Sequence, residues 1–255
     1  VTAANPDNAF AHVVAARIYG VLRKQAEAMR EFDRAIAIKP EPYIYLNRMR
    51  TRPKQDLAGR RADLDAALKL DPKSVEAMEA RADFAEENGD RAAALAALSE
   101  AIAAEPKDPA LLAQRGIEYA RAGQNALADK DFTAARALAT DGTLLNNMCW
   151  KKATAGVALQ SALEDCDLAL AKVPNAPAYL DSKGLVLLRL GRVDEAIAAY
   201  GKALDKRPNQ PSSLFGRAAA WARKGDKAKA DADAAAALKI DPDVRTEFEG
   251  YGIRI

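Results

Sequence analysis

Proline stops recur along this chain with a fixed period. Pro6, Pro40, Pro72, Pro106, Pro174, Pro208 and Pro242 are spaced by 34 residues or twice that, apart from one step of 32, and Thr140 takes the missing place between Pro106 and Pro174. A proline lacks the backbone donor and disfavours helical geometry in the residue before it, so each marks a helix end. The stretch Pro177 to Pro208, PAYLDSKGLVLLRLGRVDEAIAAYGKALDKRP, shows what lies between two stops. It reads as two helices joined by a turn marked by Gly191 and Asp194. Leu180, Gly184 and Leu187 form the apolar face of the first helix; Ala196, Tyr200 and Ala203 form that of the second. The small residues allow close approach, and Tyr200 with the leucines fills the space left. One such hairpin leaves apolar surface bare, so copies must stack beside it.

The copies recur in phase. The first carries Ala16, Tyr19, Ala28, Phe32, Ala35 and Pro40 at the pattern places; the fourth carries Gly116, Tyr119, Ala128, Phe132 and Ala135; the seventh carries Ala218, Trp221, Ala230, Ala234, Ala237 and Pro242. This pattern resembles the tetratricopeptide repeat (TPR), and the resemblance covers nearly the whole chain. It implies an all-α fold, a right-handed superhelical solenoid of about seven TPR helix-turn-helix repeats with a short C-terminal capping helix. The expected array is 9–242, with repeats 9–42, 43–74, 75–108, 109–142, 143–176, 177–210 and 211–242. Residues 1–8 read as the end of a preceding repeat. Residues 243–255 read as a cap whose Val244, Phe248 and Tyr251 share one face at spacings of four and three. The ends and the composition are similar to the C-terminal TPR region of a larger proteobacterial protein.

Charge and motif content exclude several functions. Net charge is only +2, which argues against a nucleic-acid partner. No run of about 18 apolar residues is present, so no membrane insertion is expected. The one histidine, His12, occupies a packing place without a second histidine or a nearby cysteine, and no metal or other cofactor is expected. A serine or cysteine nucleophile would lack a positioned base. Gly191 and Gly201 do not form a phosphate loop. The chain therefore does not read as an enzyme.

The resemblance implies a binding scaffold that takes a peptide or helix of a protein partner in a concave groove lined by the first helices. Carried over residue by residue, the groove includes Arg17, Asn47, Arg48, Gln114, Ile117, Leu144, Asn147, Met148, Lys151, Leu185 and Leu188. Asparagine and glutamine pair with peptide backbone, and the apolar members take side chains. The richest mixture of anchors and directional groups falls in repeats four to six, which is the expected main site. The chaperone-binding subset of the family clamps a terminal carboxylate with Lys, Asn and Arg at set places. Val13 and Arg17, then Glu76 and Ala80, stand at such places here, so this mode is disfavoured. Self-assembly as a homo-oligomer through array ends is the alternative role.

Three irregular places stand out. Repeat two is two residues short, Pro53 ends its first helix early, and Arg48, Arg50, Arg52, Lys54, Arg60 and Arg61 crowd there. Glu76, Glu79, Asp83, Glu86 and Glu87 share one face of the next helix; they meet either solvent, the basic neighbour or a basic partner. In repeat five, Trp150 falls where a small residue is usual, so that hairpin is expected to open or shift. The only cysteines, Cys149 and Cys166, lie equally far from the turn of that hairpin. They are expected to touch, either as buried thiols or as a disulfide. A bridge would lean the localisation toward an oxidising compartment such as a bacterial periplasm.

Overall fold

The computed structural model describes residues 6–255, so the expected end of a preceding repeat lies largely outside the described residues. Among the described residues there are fifteen α-helices and no strand. They group into two compact units, the first ending at Pro106 and the second running from Lys107 to Ile255.

The first unit contains α1 (Ala9–Val21), α2 (Gln25–Ile38), α3 (Pro42–Thr51), α4 (Leu57–Leu70), α5 (Val75–Glu87) and α6 (Arg91–Ala104). The second contains α7 (Pro109–Arg121), α8 (Asn125–Leu138), α9 (Gly142–Ala155), α10 (Leu159–Lys172), α11 (Pro177–Arg189), α12 (Val193–Lys206), α13 (Pro211–Lys224), α14 (Lys227–Ile240) and α15 (Val244–Gly250). Each odd helix up to α13 packs against the even helix that follows it, giving seven hairpins. The first helices also touch in series: α1 with α3 and α3 with α5 in the first unit; α7 with α9, α9 with α11 and α11 with α13 in the second.

Local sequence starts and stops these helices. Asp56, Ser74, Asp90, Asp108, Asp141 and Asp226 each accept a backbone N–H in the first turn of the helix they precede. Pro42, Pro109, Pro177 and Pro211 begin first helices, where the missing donor costs nothing. Gly191 ends the α11 turn with φ +75°, a conformation that glycine adopts without a Cβ clash. As the short second repeat implies, α3 stops at Thr51, before Arg52 and Pro53.

The hairpins close on small residues. Tyr200 of α12 is wedged between Gly184 of α11 and Gly216 of α13. A Cβ at Gly184 would lie 2.8 Å from its ring, and one at Gly216 would lie 2.3 Å from its Cζ. Gly216→Ala is therefore expected to destabilise the second unit by about 1–3 kcal/mol, because the ring is enclosed and cannot retreat. The Tyr200 hydroxyl is buried without a protein hydrogen-bond partner. Tyr200→Phe should leave stability unchanged or raise it, and should soften the Gly216→Ala penalty by removing the hydroxyl that the new methyl would meet. Chemical denaturation of the three variants checks both expectations.

A second device repeats across five hairpins. The second helix carries an acid, buried in four of them and half-buried at Asp233, and a base on the first helix reaches it. His12 Nδ1 lies 2.6 Å from Glu31, and its Nε2 lies 2.9 Å from the Pro6 carbonyl, so both ring nitrogens face acceptors. The Glu31 hydrogen bond raises the histidine's pKa above its ordinary value. Arg48 forks onto Asp63, Arg115 onto Asp131 and Arg217 onto Asp233, with Nε–O distances of 2.9, 2.7 and 2.7 Å. In the fifth hairpin Lys152, fully buried, donates to Asp165 at 2.6 Å and to Ser161 at 2.9 Å. Arg136 of α8 reaches the other Asp165 oxygen at 2.7 Å, and the Lys152 ammonium sits 3.8 Å from the Phe132 ring centre. Desolvation pulls the Lys152 pKa down against the attraction of Asp165.

The basic crowd of the second hairpin is neutralised within the first unit. Arg50 pairs with Glu76 at 2.7 Å, Arg60 with Glu87 at 2.6 Å, and Arg52 with both Asp56 and Asp63. The Arg60 and Arg61 guanidiniums also lie over the Phe84 ring. These contacts tie α3 and α4 to the acidic face of α5, so this cluster meets its own neighbouring repeat.

Candidate peptide-binding groove

In the second unit the first helices α7, α9, α11 and α13 form one row. Between α7 and α9 lies a cavity of about 160 Å³ lined by Pro109, Ala110, Ala113, Leu144, Asn147, Met148, Trp150 and Lys151. Alanines on α7 leave the space, and α9 furnishes its walls. Met148 is buried, Leu144 half-buried, and Asn147 and Lys151 exposed one turn apart. The cavity thus combines an apolar floor with an amide and an ammonium at its rim, a combination that suits side-chain capture beside a hydrogen-bonded backbone. A larger cavity of about 390 Å³ borders the second helices, where Leu170, Leu187 and Ala199 contribute apolar surface. Its Lys183 is engaged by Asp167 and its Glu195 by Arg192.

Trp150 reaches the groove because α9 begins at Gly142. That register puts Cys149, rather than Trp150, in the close-packed place between the helices. Cys149 and Cys166 face each other across α9 and α10 and are joined as a disulfide, with Cα atoms 5.4 Å apart. The hairpin does not open around the indole, contrary to the sequence expectation. Instead Trp150 turns to the inner side, where its ring meets Tyr251 edge-on at 5.8 Å. The extra residue lengthens α9 to fourteen residues, and in the turn that follows Gly156 (φ +70°) and Ala158 (φ +46°) both adopt left-handed conformations. A Cβ at Gly156 would lie 2.5 Å from Arg189 Nη1, so the site requires glycine for space as well as for conformation.

The next part of the row is covered by the chain itself. Helix α15 packs on α13 and α14. Phe248 meets Phe215 with ring centres 5.1 Å apart and Tyr251 at 5.7 Å. Arg189 donates to the backbone carbonyls of Thr154 and Tyr251. Leu185 and Leu188 are buried in the same apolar cluster as Val244, Phe248 and Ile253. Of the residues carried over from the sequence, then, Leu144, Asn147, Met148 and Lys151 come together around one cavity. Ile117 is buried against Ala128 and Phe132, and Gln114 is half-buried on the same helix. In the first unit Arg17 is exposed, Asn47 donates to the Tyr43 carbonyl at 2.7 Å, and Arg48 is bound to Asp63 and Asp33.

Asp181 of α11 lies buried in this covered part. It accepts from Ser213 at 2.5 Å and from Ser212 at 3.3 Å. Burial raises its pKa from 3.8 to about 6; the serine hydrogen bonds oppose the shift, and Glu247 of α15 adds to it. The folded chain therefore favours the protonated acid. The stability this contributes is full below the ordinary carboxyl value and is lost as the pH rises through about 6. Asp181→Asn should accordingly be more stable than the wild type at pH 7, and this advantage should vanish at a pH below 3.8. A difference in melting temperature that is the same at both pH values would contradict the assignment.

Residues 61–109 and 182–244 match the model of a tetratricopeptide repeat family. The solved structure of yeast Tom70 is similar in fold, with a TM-score of 0.72 and 17% identity, covering 98% of this chain and 55% of that one. A tetratricopeptide repeat protein from Parabacteroides merdae has a TM-score of 0.64 and 14% identity, covering 96% and 98% of the two chains. PilW, a type IV pilus biogenesis factor, has a TM-score of 0.57 and 19% identity, covering 82% and 94%. The chain spans little more than half the length of the Tom70 chain it resembles. No curated protein sequence matches it. Among the described residues no helix is long and apolar enough to cross a membrane. Seven hairpins on a 34-residue period, two segments matching the family model and neighbours of the same fold together show that this chain has a tetratricopeptide repeat fold, the fold of a family of protein–protein interaction scaffolds.

Proposed function

We propose that this chain is a non-catalytic scaffold that captures a peptide or helix of a protein partner on the inner face of its first helices, with the α7–α9 cavity as the open anchor site. The observation that supports this reading is the convergence of Leu144, Met148 and Trp150 with Asn147 and Lys151 around one cavity. Such a site holds an apolar side chain while the amide pairs with the adjoining backbone. Peptides selected on the chain from a random library provide the test. Their affinity should fall at least about tenfold for the Asn147→Ala, Lys151→Ala double variant, the equivalent of about 1.4 kcal/mol. Both residues are exposed, so helicity and melting temperature should not change. Equal affinity for the double variant would remove the cavity from the binding surface.

One feature favours self-association as a second reading. Helix α1 exposes Phe10, Val21 and Leu22 to solvent, at 64%, 86% and 58%. Sedimentation over a range of concentrations should then show a dimer that Phe10→Ser with Val21→Ser abolishes. A monomer at every concentration contradicts this role.

A further inference from the structure

We propose that the inner surface covered by residues 244–253 is a docking surface for a partner helix bearing an aliphatic side chain followed by two aromatic ones at spacings of four and three, with the chain's own C-terminal segment as a displaceable occupant. The inference rests on the proposed peptide-binding role of the inner face and names the partner chemistry for its covered part.

The segment itself defines the complement. Val244 and Phe248 are buried, and Tyr251 is half-buried against Trp150. Phe248 lies on Phe215 of α13 and Tyr251 on Trp150 of α9, two first helices of the row that forms the open cavity. The polar attachment is slight: Arg189 donates to the Tyr251 carbonyl, whereas the Tyr251 hydroxyl bonds within the segment to Glu247 at 2.6 Å. A seven-residue helix does not persist alone in water, so α15 exists by virtue of being docked. It also brings the Glu247 carboxylate toward buried Asp181, a like-charge approach that a partner without an acid at that place would avoid. Terminal segments held this way open at lower free energy than the helices beneath them. A tether gives the resident segment an effective concentration in the millimolar range, so it masks the surface from a free partner until it is released.

The test uses the full chain and a labelled peptide with the sequence of residues 241–255. The wild type, its surface filled, should bind the peptide weakly. The Phe248→Ala, Tyr251→Ala variant should bind it at least tenfold more tightly, and adding Trp150→Ala should abolish that gain. A folded variant that binds no more tightly than the wild type would overturn the proposal and leave the segment a fixed cap. Should the variant lose its helicity, hydrogen exchange of the wild type decides. Amides of 248–253 exchanging at least tenfold faster than those of 216–219 support a displaceable segment, and equal protection overturns it. A wild-type dimer that the double variant abolishes would reassign the surface to a second copy of the chain and overturn the partner proposed. Insensitivity of library peptides to Asn147→Ala, Lys151→Ala with the tail result intact would count against the open-cavity site alone.

Discussion

Asp165→Ala is expected to lower the stability of the second unit by about 3–5 kcal/mol, the cost of stranding a buried charge. Lys152 is fully buried, and its ammonium is held by Asp165, the Ser161 hydroxyl and the face of Phe132. Removing the carboxylate leaves that ammonium either charged in an apolar interior or forced to lose its proton. It also takes a partner from Arg136, which retains Glu164 at 3.2 Å. Replacing both members, Lys152→Met with Asp165→Leu, should restore much of the loss, because matched apolar groups remove the stranded charge altogether. Urea denaturation of the three proteins provides the measurement. In a repeat fold the damage should centre on the fifth hairpin and its neighbours. A single Asp165→Ala variant as stable as the wild type would show that the network carries little of the fold.

Breaking the Cys149–Cys166 bridge is expected to cost about 3 kcal/mol in the chain-entropy account, given a sequence separation of 17. The bridge fastens α9, which carries the cavity, to α10, so Cys149→Ala with Cys166→Ala should also loosen the Asn147–Lys151 rim. Both sulfurs are inaccessible in the folded chain, so reduction should require unfolding. A bridge persists in oxidising compartments and is rare in reducing ones. Thiols blocked at lysis and then counted by mass spectrometry should show no alkylated cysteine in protein exported to an oxidising compartment. Two alkylated cysteines under those conditions would contradict the bridge.

The hairpins were legible because their determinants are local. Proline stops, capping aspartates and small residues at a fixed period act within a few turns of helix, whatever surrounds them. Repeat five was misread by one residue. Its first helix α9 is one residue longer than α7 or α11, and the period alone cannot say on which side of the turn the extra residue is absorbed. Setting Cys149 in the small-residue place would have moved Trp150 inward from the sequence alone. The buried acids at Glu31, Asp63, Asp131 and Asp165 and the half-buried Asp233 also follow the repeat period, a readable signal. Their partners were only partly readable: Arg48, Arg115 and Arg217 share one place in the first helix, whereas His12 reaches its acid from the turn before and Lys152 from the turn after. The burial of Leu185 and Leu188 was not written in their own repeat. The pattern places both on the inner face, and the residues that share their cluster, Val244, Phe248 and Ile253, lie more than fifty positions later.

Hydrogen exchange of the full chain, with and without a library-selected peptide, tests the central claim most directly. Binding on the inner face predicts slowed exchange in α7 and α9, over residues 109–121 and 142–155, with α8 and α10 unchanged. Slowing confined to α8, α10 and α12, on the side of the second helices, would contradict it.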